Sequence, residues 1–419
     1  MILLRWRIEK MKLYHRENYL KNIRGFYHET DLIKVITGIR RCGKSCLMQS
    51  IAEELIASGV KEENIIYINL DKRGYKSIKT PDALENVIDS LCVAEGVKYL
   101  FIDEIQNVEG FEEVINGYRE EDEYSIFITG SNSYLLSGEL VTKLTGRYLE
   151  FEMFPLTFDE YIGMKKFLKQ TVSDNTNEEF EKYIMEGGFP RTLSIPDLKD
   201  KREYVEGVIK EIFEKDIKKR VKIRKVSVFN KVQTYIINNF GATTSFTNIL
   251  NDLHNAGCDI RRETLNRYVQ ALIDAKIIHK CERFDLKSRR SISGEQKYYL
   301  ADLGFYFSTN TDNRINYGPV LENIVYVYCR AKGYSVSVGR IGKLECDFIV
   351  RKDFMEYSYI QVAMTILNSR ETEDREYKSL ESINDNYPKY VMTRDYLLQK
   401  RNGIKHVNIM NFMQNGQEF

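Results

Sequence analysis

The stretch LIKVITGIRRCGKSCL, Leu32 to Leu47, constrains this chain more than any other. Apolar Leu32, Ile33, Val35 and Ile36 read as a short buried strand, Gly38 interrupts it, and Gly43, Lys44 and Ser45 lead into the helical run CLMQSIAEELIAS. The spacing is the G-x-x-x-x-G-K-[ST] phosphate loop in its strand-to-helix setting. Two glycines let the backbone of Gly38, Ile39, Arg40, Arg41, Cys42, Gly43, Lys44, Ser45 and Cys46 turn its N–H groups around a phosphate, at the positive end of a helix. Lys44 is then expected to reach the β- and γ-phosphates of ATP, and Ser45 to hold Mg²⁺.

Further strands follow at Asn64 to Leu70, Tyr99 to Ile102, Ser125 to Thr129 and Tyr148 to Met153, separated by helical stretches such as DALENVIDSLC. Alternation of this kind predicts βαβ units and a parallel sheet covered on both faces, with the ligand at the carboxyl ends of the strands. Asp103 ends the third apolar run and is expected to support Mg²⁺ opposite the phosphate loop; Glu104 beside it is expected to polarise an attacking water. Ser131, with Asn132, follows the fourth strand and would meet the γ-phosphate or the water, or else form a plain Gly/Ser/Asn turn. Arg147 lies just before the fifth strand, where a guanidinium would stabilise charge on the transferring phosphoryl group, from this subunit or a neighbour. The break Gly187-Gly188-Phe189-Pro190 suits a chain reversal, and also a lid packing Pro190 on an adenine ring.

Composition narrows the classes. A chain of 419 residues suggests several domains, and 43% hydrophobic with 29% charged residues is ordinary for a soluble protein with no transmembrane run. The charge-interrupted start MILLRWRIEKMKLYHRE is neither a signal peptide nor an anchor, so a cytoplasmic location is expected. Seven scattered cysteines and five histidines argue against a disulfide framework or a zinc site.

Taken together, GIRRCGKS, LFIDEIQ, ITGSNS, LTGRYLEFEMFPLTFDEY and EGGFPR resemble the archaeal and bacterial AAA-type ATPases related to the signal-transducing STAND ATPases. The resemblance continues through GPVLEN, ECDFIV and DNYPKYV. It implies a P-loop core of the additional-strand, catalytic-glutamate class, then a winged helix and a nuclease-like fold, and it supplies no substrate.

The residues beyond the core are read in the same order. Between Lys215 and Lys231 eight basic residues face one acid, Asp216, a pattern that is usually a solvated helix face and otherwise a phosphate contact. Three helical segments, FNKVQTYIINNFG, SFTNILNDLHNAG and RRETLNRYVQALIDAKII, precede two strand-like stretches joined by KSRRSISG, the order of a winged helix-turn-helix. Arg261, Arg262 and Thr264 open its third helix, and Lys287, Arg289 and Arg290 sit in its wing, so double-stranded DNA is an expected partner, with packing against protein the alternative. In the nuclease-like region Glu322 and Asp347 occupy the first two acidic places, but Gln361-Val362-Ala363 stands where an acid and a lysine are needed, which predicts lost cleavage. The expected domains are 1–153 (α/β P-loop core), 154–225 (helical lid and linker), 226–308 (winged helix) and 309–419 (α/β restriction-endonuclease-like). The function expected of them is an Mg²⁺-dependent ATPase whose cycle repositions the later domains. The alternatives are a DNA-binding regulator that uses ATP only as a switch, and an ATP-controlled nuclease. An unidentified protein partner and no membrane complete the expectation.

Overall fold

A computed structural model describes residues 12–92, 95–130, 144, 146–288, 290–310, 315–352 and 356–419, with the backbone alone at 291–294. The chain divides into two compact units, Met1–Met153 and Phe154–Phe419.

In the first unit, helix α1 (Glu17–Ile23) precedes strand β1 (Ile33–Gly38) and helix α2 (Lys44–Ala57). Then come β2 (Ile65–Asn69), α3 (Pro81–Leu91), β3 (Lys98–Asp103), α4 (Phe111–Glu120), β4 (Tyr124–Thr129) and β5 (Tyr148–Met153). The five strands form one sheet in the order β2-β3-β4-β1-β5, every pairing parallel, so β4 is inserted between β1 and β3. Every residue of β1, β3 and β4 is buried, as a parallel strand covered on both faces requires, which explains why these segments read as unbroken apolar runs. Edge strand β5 is mostly half-buried. This is the α/β fold of the P-loop NTPases.

One residue breaks the apolar pattern from within. Lys34 is fully buried in β1, where its ammonium donates to Ser125 Oγ at 2.9 Å and to the Glu29 carbonyl at 2.5 Å and lies 4.6 Å from the Phe127 ring centre. Three neutral partners keep the nitrogen hydrogen-bonded but only partly replace water.

The second unit holds α5 (Phe158–Phe167), α6 (Thr176–Glu186), α7 (Leu198–Ile212), α8 (Val226–Asn238), α9 (Phe246–Asn255) and α10 (Arg262–Asp274). A hairpin of β6 (Ile278–Asp285) and β7 (Arg290–Leu300) follows, then α11 (Gly304–Thr309), α12 (Tyr317–Ala331), β8 (Ser335–Ile341), β9 (Leu344–Arg351) and β10 (Tyr357–Val362). The chain ends with α13 (Arg370–Glu381), β11 (Lys389–Thr393), β12 (Lys400–Arg401), β13 (Ile404–Asn408) and α14 (Ile409–Gln414). Three helices and a hairpin do occur in the order expected of a winged helix. The hairpin, however, is not a free wing: β6 pairs in parallel with β8 from Arg283 to Asp285, and the sheet runs β12-β13-β11-β10-β9-β8-β6-β7. The seam expected between residues 308 and 309 is therefore replaced by one mixed, eight-stranded sheet. A strand-edge hydrogen bond is available to whichever strand reaches it, and β8 reaches β6.

Burial pushes the Lys34 ammonium down to about 7, against Glu29, which holds it up. Because this folded value lies below that of an unfolded lysine, the unfolded chain holds the extra proton between the two. Stability from this group is fully present above about pH 10.5 and is lost as pH falls towards 7. Thermal melts of wild type and Lys34→Met across pH 6.5–10 should show the wild-type midpoint rising relative to the variant; parallel curves would refute the shift.

Candidate active site

The carboxyl ends of β1, β3 and β4 bring together most of what the chemistry needs. Gly38 closes β1 at φ +141°, and a Cβ there would meet the Met153 carbonyl at 2.3 Å, so only glycine fits. Arg41 (φ 71°) and Gly43 (φ 110°) carry the chain round to α2, whose first residue is Lys44. The loop thus sits on the N-terminal end of a 14-residue helix, where unpaired N–H groups sum to roughly half a positive charge. Lys44 is buried, its ammonium donating to the carbonyls of Gly38 at 2.9 Å and Ile39 at 3.2 Å. Ser45 lies in the first helical turn. From the lead-in segment, the buried Arg16 donates to the Cys42 carbonyl at 3.1 Å and braces the loop from outside the motif.

Asp103 is completely buried at the end of β3. A buried carboxylate without partners costs several kcal/mol, so its hydrogen bonds are what hold it here. Oδ2 accepts from Asn69 Nδ2 at 2.6 Å, and Oδ1 accepts from the Thr129 hydroxyl at 2.5 Å. Each such charge-assisted bond contributes about 1.5–3 kcal/mol, enough together to offset that cost. The Thr129 oxygen in turn accepts from the Glu104 N–H at 3.0 Å. Glu104 stands in the left-handed region (φ 60°, ψ 46°), a conformation costing roughly 1–2 kcal/mol that the Thr129 bond helps to hold. Its side chain is bonded by Gln106 Nε2. Burial pushes the Glu104 carboxyl above the usual range; Lys44 and then Arg40 pull it back, Asp103 pushes it up, and the Gln106 bond lowers it.

Mg²⁺ prefers one or two carboxylates plus phosphate oxygens to an all-protein cage. The donor set here fits that habit: Asp103 and Ser45 border the loop, and among the described residues no group of three His, Cys, Asp or Glu is arranged to hold a metal alone.

One expected member of the first unit, Arg147, is not brought to this edge. Arg147 precedes β5, its carbonyl accepting from the Ile33 N–H at 2.9 Å, so it lies at the amino ends of the strands, roughly 16 Å away along β1. Its guanidinium donates to Asn116 Oδ1 at 3.0 Å and faces Glu120 at 3.6 Å. Pro190 belongs to the second unit and opens the turn Pro190–Ser194. The two glycines before it answer to buried Asp302, which accepts from the Gly188 N–H at 2.6 Å and leaves only 2.1 Å for a Cβ at Gly187. Ser131 and Asn132 lie outside the described residues.

Asn69, Thr129, Arg16 and Gln106 were not singled out in the sequence. Thr129 had a signal, since it is the last residue of a strand whose neighbours in the sheet end in Gly38 and Asp103.

In the second unit the expected pair meets: Glu322 from α12 and Asp347 from β9. An ammonium stands beside them, that of Lys297 on β7. Lys297 Nζ lies 2.9 Å from Glu322 Oε2 and 3.0 Å from Glu345 Oε1; Tyr299 donates to Glu322 at 2.9 Å, and Arg283 pairs with Glu345. Burial and the Glu322 charge hold the Asp347 carboxyl well above its ordinary range, while Lys297 opposes them. Gln361 accepts from Ser379 Oγ at 3.2 Å and donates to Glu376 at 3.0 Å, acting as a hydrogen-bond hub where an acid was needed. Lys297→Met would leave Glu322 without its cation while Glu345 keeps Arg283, and should cost about 3–5 kcal/mol in urea unfolding of the second unit; Lys297→Met with Glu322→Gln should recover part of it. An unchanged midpoint in the single variant would refute the pairing.

The profile of the AAA domain matches residues 30–162, and one described as a domain of unknown function (DUF8612) matches residues 177–313. An uncharacterised protein of Haemophilus influenzae is 34% identical over 95% of this chain and 98% of its own length. One from Methanocaldococcus jannaschii is 30% identical over 89% of this chain and 82% of its own. Among solved structures, a Walker-type ATPase of Pyrococcus abyssi superposes with a TM-score of 0.50 at 17% identity, covering 73% of this chain and 98% of that one. Phosphate loop, strand order and profile make residues 30–162 an AAA domain of P-loop fold, and the chain belongs to the same family as the Haemophilus influenzae and Methanocaldococcus jannaschii proteins.

Proposed function

We propose that the first unit hydrolyses ATP at the carboxyl edge of its sheet and that the cycle of binding and release repositions the second unit. The loop Gly38–Cys46 cradles the phosphates, Lys44 turns from its own carbonyls to the β- and γ-phosphates, and Ser45 and Asp103 hold Mg²⁺. A metal held by these two residues would supply charge neutralisation to the phosphates. Glu104 takes the proton of the attacking water; its burial keeps it basic enough for the task while Lys44 and Arg40 keep it ionisable. The observation that carries the reading is the Asp103–Thr129–Glu104 linkage, which fixes metal ligand and base to adjacent strands. Arg147 does not serve this site from within its own chain; action on a neighbouring subunit is the role left to it.

Lys44→Ala should abolish nucleotide binding. Glu104→Gln should retain binding and lose turnover by roughly 10²–10⁴-fold, measured as phosphate release. Turnover unchanged in both variants would end the reading.

A second activity, DNA binding, is favoured by one feature: Arg261, Arg262 and Glu263 at the start of α10 are exposed, as are Lys218, Lys219, Arg220, Lys222, Arg224 and Lys225 ahead of α8. Binding of duplex DNA that weakens as salt rises, and weakens further in Arg261→Ala/Arg262→Ala, is the expected result. Binding indifferent to those changes would remove α10 as the reading element.

A further inference from the structure

Gln106 follows Glu104 on the short turn Ile105–Asn107, pinned on either side by buried Ile105 and Val108. One half of its amide is used: Nε2 donates to Glu104 Oε2. The other half is not: Oε1 is buried, and no donor of the described residues reaches it. A buried acceptor left unmade costs about 1–3 kcal/mol, and a leucine of similar size would avoid that cost. A purely structural role therefore explains the nitrogen and leaves the oxygen unexplained.

The chemistry of the neighbourhood selects what the oxygen awaits. It requires a donor, and the phosphate oxygens of ATP bound to Mg²⁺ carry no protons at neutral pH, so they cannot serve. Lys44 and Arg40 face Glu104 but do not bond Gln106. Water is the donor that hydrolysis beside Glu104 would supply, and a small turn of the Gln106 side chain would open the buried Oε1 to it.

Resting on the hydrolytic reading above, we propose that Gln106 is the positioning residue for the attacking water, fixing the Glu104 carboxylate through its N–H and accepting a hydrogen bond from the water at its amide oxygen. The water then donates one hydrogen to Glu104 and the other to Gln106, and its lone pair is aimed by these two acceptors at the γ-phosphorus. In the step, the water oxygen bonds to phosphorus, the bond from phosphorus to the bridging oxygen of ADP breaks with its electron pair leaving on ADP, and Glu104 takes the proton. Gln106 exchanges no proton; it restricts where the water can stand.

The test uses the full chain and single-turnover ATP hydrolysis in wild type, Gln106→Leu and Glu104→Gln, with the Kd of a nonhydrolysable ATP analogue and the half-saturating Mg²⁺ concentration for each. Gln106→Leu should slow the chemical step roughly 10- to 100-fold, while the analogue's Kd, the Mg²⁺ requirement and the melting temperature stay within twofold or a few degrees of wild type. A rate within twofold of wild type overturns the proposal. A raised Mg²⁺ requirement overturns it in favour of metal ligation by the amide, and a matched loss of analogue affinity overturns it in favour of a structural role. Absence of turnover in wild type would instead remove the hydrolytic reading on which it rests, and Glu104→Gln distinguishes that failure from loss at Gln106 alone.

Discussion

The hydroxyl of Thr129, donating to Asp103 and accepting from the Glu104 amide, is the contact on which the rest of the first unit's edge depends. It joins the end of β4 to the end of β3, and it does so with a group too short to reach anything else. Asp103 can remain buried because of it and Asn69; Glu104 can hold a left-handed backbone because its N–H has an acceptor there. Register makes this possible: Ile102 lies opposite Ile128, which carries Asp103 and Thr129 past the last pairing together.

Around that contact, charge is arranged by sign. Lys44, Arg40 and the amino end of α2 supply positive potential, and Asp103 and Glu104 stand opposite, the second kept above the ordinary carboxyl range chiefly by burial. Such an edge attracts a polyanion only while a divalent cation or a lysine offsets the two acids. The same arithmetic explains why Lys44 bonds carbonyls in its own loop: an ammonium so deeply buried needs acceptors in every state it occupies.

The parallel sheet and its phosphate loop were legible because both rest on local chemistry: buried strands demand continuous apolar runs, and the loop demands glycine where φ is positive. What failed were inferences that needed an orientation. Arg147 adjoins Gly146 and a strand, but a residue preceding a parallel strand lies at the opposite edge from one following it, a rule that could have been applied beforehand. Gly187 and Gly188 read as a chain reversal that also suits a lid, because no residue nearby in sequence explains them; the residue they answer to, Asp302, lies more than a hundred positions on. Lys34 was invisible for the same reason, since its acceptors come from β4 and from a loop, and a lone lysine in an apolar run reads as noise.

The second unit turns on a cation that no local pattern announces. Lys297 reads as part of a wing until α12 brings Glu322 and β9 brings Glu345 to it. Arg283 reaches Glu345 and Glu295 as well, so three acids share these two bases, and burial with the Glu322 charge holds the Asp347 carboxyl above its ordinary range. Gln361 serves nearby as a hydrogen-bond hub, accepting from Ser379 and donating to Glu376. The hairpin that carries Lys297 is also bonded to β8, and freeing it would strand backbone groups along three residue pairs as well as break these ion pairs. A nucleotide-driven movement of the kind proposed would therefore carry α10, the hairpin and the mixed sheet together, because the strand pairing and the ion pairs around Lys297 resist bending between them.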